Sequence, residues 1–419
     1  MPTPDAGPGA RALHEALRAL QAGDMDTAHA CATGALDGFS TAGDRTGTAA
    51  AHQVLAITSL AAGRPDDALA HVDAAIPLRE STGDAEGLSS LWQERMELCL
   101  RMGRIDEARR SAEAQVQAAA RGPDKEGHAH ALHQLAQILL QSGDDGGAEV
   151  AVNEALYLLD PGTMARARSA LHLIYSNVWL TRGNADRALD QARQGLQMAR
   201  AAKHRVAEID ALHQCGVVHA AAGEHPAAKR ALEEALVGRE LLKDQEGKAS
   251  VLRELAGVEL ALGEGTEALG HLRYAVRSLR ETGNVLGEIA MLQTLAETAD
   301  HFQQPVEATA AARELVDAAG RVGDREAVAG AYFMLATRHA GLGELGEAAE
   351  AFRTANEIQE VLGLAHEAAV SQGMLGQVLV AGGSVPEGVA LMQTALSRLE
   401  ALNSEAADTL RAVLDEVAP

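Results

Sequence analysis

The sequence predicts an all-α solenoid built from helix pairs, and three observations carry that prediction. Glycine recurs every 40 residues, at Gly23, Gly63, Gly103, Gly143, Gly183, Gly223, Gly263, Gly343 and Gly383, with Gln303 in the remaining slot. Five residues later alanine recurs, from Ala28 and Ala68 through Ala308 and Ala348, with Gly388 last. Between these marks the apolar residues fall at i, i+3 and i+4, the spacing of one helix face. Period-two runs of β-branched residues are nearly absent.

Each mark has a physical role. The glycine ends a first helix, where a left-handed residue is needed and a Cβ is penalised. The alanine lets the second helix approach closely. Pro65 and Pro305 come two residues after the turn, where proline suits the start of a helix. A second mark falls midway between the first ones. It reads Gly43-Asp44, Gly83-Asp84, Gly283-Asn284, Gly323-Asp324 and Gly363, with Pro123, Thr163, Lys203, Lys243 and Asn403 in the other slots. Each unit is therefore helix, turn, helix, turn. One such pair cannot bury both helices, so pairs stack.

Residues 1–10, with Pro2, Pro4 and Pro8, read as a floppy leader. Residues 11–402 hold ten repeats, and 403–419 read as a capping helix and tail. The eighth repeat departs from the ruler at Asp300, His301 and Gln303, by drift or as a bend or contact point.

The small-glycine-alanine signature in VLAITSLAAGRPDDALAHVDAAI and ELAGVELALGEGTEALGHLRYAV resembles the tetratricopeptide repeat family, in a 40-residue form. The spacer G-D-x-x-G, as in GDRTG and GDAEG, is similar to that of Leu-Gly-Asn repeat polarity proteins and some bacterial regulators of the family. The resemblance implies a right-handed superhelix with the first helices on a concave surface. It implies a non-catalytic scaffold that holds a peptide segment or partner protein there. The alternative it leaves open is a peptide- or ligand-sensing regulator that acts through a partner.

Composition narrows the partners. The 419 residues include 36 basic and 59 acidic ones, a net charge of −23, which disfavours nucleic acid and anionic membranes. Ten aromatics, two Trp, four Tyr and four Phe, leave small Ala-rich contacts to form the core. Cys31, Cys99 and Cys215 form no C-x-x-C and no even set. The N-terminus lacks a signal-peptide core, and no apolar run spans a bilayer. A cytoplasmic protein is expected.

Candidate ligand residues lie on a second, polar stripe of the first helices. The stripe includes His130, His133 and Gln137 in the fourth repeat, then Asn177, Asp210, His213, Arg253 and Gln293. Gln53, Ile57, Gln93 and Glu97 continue it toward the N-terminus. Histidine, Gln and Asn can hydrogen-bond an extended peptide without demanding a charged ligand. The same residues also suit a merely solvated face. His52, His172 and His213 are expected to pack at helix contacts or line the groove. The Tyr332/Phe333 region and the outer helices are a competing partner surface.

Other chemistries find little support. The six residues Gly341 to Gly346 match G-x-G-x-x-G, but a helical pattern precedes them where a dinucleotide site needs a strand. His130 and His133 share a helix face, yet no third ligand completes a metal site. No G-x-S-x-G, P-loop or Cys-His set occurs. No enzyme, cofactor or metal is expected.

Overall fold

The computed structural model describes residues 7–160 and 164–417. Every regular element among them is an α-helix. The first compact unit covers 1–214. It opens with α1 (Pro8–Gln21) and α2 (Met25–Ala42), followed by α3 (Arg45–Ala61) and α4 (Pro65–Thr82). Then come α5 (Ala85–Arg101), α6 (Ile105–Ala119), α7 (Lys125–Gln141) and α8 (Asp145–Leu158). After them come α9 (Ala165–Thr181) and α10 (Ala185–Ala201). The division into units falls within α11 (Arg205–Ala221).

The second unit, 215–419, continues with α12 (His225–Leu242), α13 (Gln245–Leu262) and α14 (Gly265–Thr282). Next are α15 (Val285–His301), α16 (Pro305–Val322), α17 (Arg325–Leu342) and α18 (Leu345–Leu362). α19 (Ala365–Ala381), α20 (Val385–Ala401) and α21 (Ala406–Val417) end it. Within each unit consecutive helices pack against one another.

The periodic residues do what their chemistry dictates. The turn glycines adopt left-handed backbone, as at Gly63 (φ 71°) and Gly343 (φ 77°). Gln303, Lys203, Lys243 and Asn403 take the same conformation with φ of 52–56°, so the turn survives where glycine is lost. Thr163 lies outside the described residues. Ala28, Ala68, Ala108, Ala148, Ala188, Ala228, Ala268, Ala308 and Ala348 are all fully buried. In the last repeat even alanine would not fit, because a Cβ on Gly388 would stand 2.5 Å from the Gly376 carbonyl.

The G-D-x-x-G spacer is a helix junction. In GDAEG, Gly83 (φ 70°) closes α4, and Asp84 caps α5 by accepting from Gly87 N at 2.9 Å. A Cβ on Gly87 would lie 2.4 Å from the Asp84 carboxylate, so the final glycine makes room for the cap.

One expectation changes. Helix α1 begins at Pro8, inside the stretch 1–10 expected as leader, because proline is pre-set for the first turn of a helix. Gly9 is buried there, with Phe39 packed so close that a Cβ would meet its ring at 3.0 Å. Pro2 and Pro4 lie outside the described residues. The eighth repeat keeps regular helices α15 and α16. Asp300 pairs with Arg338 at 2.8 Å, and Phe302 packs on Gly265, where a Cβ would collide at 2.6 Å.

Candidate functional site

The first helices of the pairs are the odd-numbered ones, and α7 and α9 line an open cavity of about 720 Å³. The cavity exists because α8 stops early. It has 14 residues, against 17 for α10 and 18 for α4. Leu159 leaves the helix with extended backbone (φ −91°, ψ 130°) and turns its side chain inward, 2% exposed. Pro161 disfavours helical backbone in the residue before it, which accounts for the early stop. Leu159, Met164, Ala167 and Leu171 supply the apolar lining, and His130, His133, Glu126 and Arg166 the polar one.

His130 and His133 sit one turn apart on α7. Their rings are 6.2 Å apart and nearly parallel, at 18°. Burial of His133, and then the neighbouring His130, push its pKa down to about 4. At neutral pH His133 is an uncharged imidazole, offering one donor and one acceptor. Arg166 is exposed and lines the same cavity. Asp124 is occupied, since its carboxylate caps α7 by accepting from the amides of Glu126 and Gly127 at 3.0 Å.

The other stripe residues separate. Gln137 is exposed on α7, outside the cavity lining. Asn177 is half-buried and accepts from Gln214 Nε2 at 2.6 Å, so it ties α9 to α11. Asp210 and His213 are half-buried on α11. In the second unit, Arg253 is exposed and pairs with its neighbour Glu254 at 2.8 Å, while Gln293 is exposed on α15. The polar stripe thus has two uses. Part of it stitches neighbouring first helices together, as Asn177 does and as Gln53 does by donating to Glu94 at 2.9 Å. Of the eight residues from His130 to Gln293 predicted for the groove, His130 and His133 line the α7–α9 cavity.

A smaller cavity of about 180 Å³ lies on α3, α4 and α5 of the first unit. Ile57, 45% exposed, borders it with Glu94 and Glu97. Burial raises the Glu94 pKa.

The remaining candidates belong to the core or to turns. His172 is buried and its Nδ1 lies 2.8 Å from Gln191 Oε1, while His52 Nδ1 meets His71 Nδ1 at 3.2 Å. Phe333 meets the buried Phe352 edge-on at 5.5 Å, so the Tyr332/Phe333 region is partly buried against the core. Gly343 closes α17 and leads into α18, so a helix stands where a dinucleotide site requires a strand. Burial raises the Cys99 thiol pKa, which keeps it protonated. Among the described residues no three His, Cys, Asp or Glu side chains are placed to hold a metal ion. Among those residues, no helix is long and apolar enough to cross a membrane.

Arg166, Met164 and Leu159 are not singled out by the spacing of the polar stripe. The signal for them was Asp160-Pro161-Gly162, which interrupts a second helix without changing the 40-residue count.

Over 87% of its length the chain aligns with a signal transduction ATPase with numerous domains from Pyrococcus horikoshii, which has a tetratricopeptide repeat sensor. The TM-score is 0.57 and the identity 14%. The fold is the tetratricopeptide-repeat fold. The chain spans 55% of the length of that structure. A tetratricopeptide repeat protein from Parabacteroides merdae aligns over 64% of this chain and 92% of its own, at 14% identity and TM-score 0.49. A Rap protein complexed with competence and sporulation factor aligns over 80% and 98%, at 14% identity and TM-score 0.49. No family model and no curated protein matches the sequence. The tetratricopeptide fold accounts for the helix pairs and leaves function to the site.

Proposed function

We propose that this chain is a non-catalytic binding protein that takes a peptide segment of a partner protein on the face of its first helices. In this reading residues 11–402 form ten repeats, with α21 as their cap. The observation that carries the proposal is the α7–α9 cavity. It combines an apolar floor with two imidazoles, one of them uncharged at neutral pH, and an exposed guanidinium. A peptide backbone needs donors and acceptors side by side, and an anchoring side chain needs an apolar recess. The three free cysteines suit a reducing cytoplasm.

The second reading, a ligand-sensing regulator working through a partner, draws on the sensor role named for the Pyrococcus horikoshii repeats. Both readings place the ligand in the same cavity and differ in the consequence of binding.

The test begins with peptides selected from a displayed random library against the full chain. Each imidazole contact contributes about 1 kcal/mol, so His130→Ala with His133→Ala should weaken selected peptides by about tenfold or more. The melting temperature should change little. Unchanged affinity in a folded double variant removes the α7–α9 cavity as the site.

A further inference from the structure

A second cavity, of about 350 Å³, lies in the other unit where α12 turns into α13 beside α14. Its chemistry differs from that of the α7–α9 cavity. Lys248, in the first turn of α13, is only 6% exposed. Its ammonium stands 4.3 Å from the centre of the Tyr274 ring and donates to Tyr274 Oη at 3.2 Å. Among the described residues no carboxylate pairs with it. A buried ammonium has three N–H donors, and here one has a protein acceptor.

Lys243 lines the same cavity from the left-handed turn residue between α12 and α13 (φ 56°), and its side chain also has no carboxylate partner among the described residues. The two carboxylates nearby are engaged. Asp244 pairs with Arg239 at 2.7 Å and accepts from Gly247 N at 2.9 Å. Glu240 accepts from Tyr274 Oη at 3.3 Å. Over residues 215–419 acidic residues outnumber basic ones 31 to 16, yet this cavity brings Lys243 and Lys248 together.

We propose that this cavity binds a phosphate group, held between the ammonium groups of Lys248 and Lys243. The match is one of charge and donors. A phosphate monoester carries about −1.5 to −2 at neutral pH and three acceptor oxygens. Two lysines supply two charges, and the unused donors of Lys248 and Lys243 suffice for those oxygens. A single carboxylate would leave one ammonium uncompensated. The cavity is larger than a bare phosphate, which leaves room for the group that carries it.

The test uses the purified full chain in sodium phosphate and in O-phosphoserine, against sodium chloride at equal ionic strength. Both phosphates are expected to raise the melting temperature above the chloride control, as a ligand of the folded state does. Calorimetric titration should show binding weakened at least tenfold by Lys243→Ala and by Lys248→Met. Lys243 is exposed, so its variant keeps the readout valid if Lys248→Met unfolds. Tighter binding of phosphoserine assigns the site to a phosphorylated side chain, and tighter binding of inorganic phosphate to the free ion. No rise over chloride overturns the proposal. An equal rise in wild type and Lys243→Ala overturns it as well.

Discussion

Glu259 is wholly buried on α13, and its environment shows how single residues are balanced in this chain. Its carboxylate meets Lys229 Nζ at 3.1 Å and His271 Nδ1 at 2.7 Å. Lys229 also bonds Glu264, which with Glu259 drives its pKa up to about 12 against the cost of burial. Buried ion pairs add little net stability, but removing one partner strands the other charge. Lys229→Met should therefore cost about 2 kcal/mol, and Lys229→Met with Glu259→Gln less than that. Urea midpoints of the two variants check this. A single variant no less stable than the double would show that His271 alone compensates the carboxylate. Glu288 repeats the arrangement with Arg280 at 2.7 Å and Arg321 at 2.6 Å.

At the scale of elements, the helix junctions concentrate the specificity. Asp84 caps α5 and also holds Arg79 at 2.5 Å, whose side chain is 14% exposed. Loss of a cap costs about 1 kcal/mol, and a nearly buried guanidinium left alone adds to it. Asp84→Ala should lower stability by about 1–2 kcal/mol. Arg104→Ala, which breaks an exposed pair with Asp66, should cost less than about 0.5 kcal/mol. Equal midpoint shifts in denaturant would refute the difference. Such junctions are legible in sequence because each depends on one residue at one slot: glycine for the turn, Asp for the cap, alanine for the close approach. The α7–α9 cavity was not legible by that means. Residues 160–163 keep the 40-residue count while α8 loses its last turn, so a ruler of positions passes over them. The polar stripe misled in part for another reason. Asn177 and its partner Gln214 are 37 residues apart, and a bond between two helices leaves no local mark.

Across the whole molecule, four histidines of the first unit bear on acid sensitivity. Burial lowers the pKa of His133, His52, His71 and His172. A neighbouring ring adds to the effect at three of them: His130 at His133, His71 at His52 and His29 at His71. A folded-state pKa below the unfolded value of about 6.5 means that the unfolded chain takes up protons first as pH falls. The stability linked to these rings is complete above about pH 6.5 and declines as the pH drops toward the folded-state values, about 4 for His133. At pH 5, His133 alone accounts for a loss on the order of 2 kcal/mol. Glu94, with its pKa raised by burial, works the other way in the same unit, one carboxylate against four rings. Arg200 lowers the pKa of Glu208, and Arg321 and Arg280 lower that of Glu288 against the cost of burial. Both tryptophans, Trp92 and Trp179, lie in the first unit, so their fluorescence reports that unit while far-ultraviolet circular dichroism reports all helices. Lowering the pH from 7.5 to 5 should move the fluorescence melting midpoint down by more than the dichroism midpoint. Repeat arrays unfold with limited cooperativity, which lets the two signals part. His133→Leu, which keeps the ring site apolar, should shrink the shift. Midpoints that fall together at both pH values, or a shift unaltered in His133→Leu, would show that these buried rings do not set the acid sensitivity.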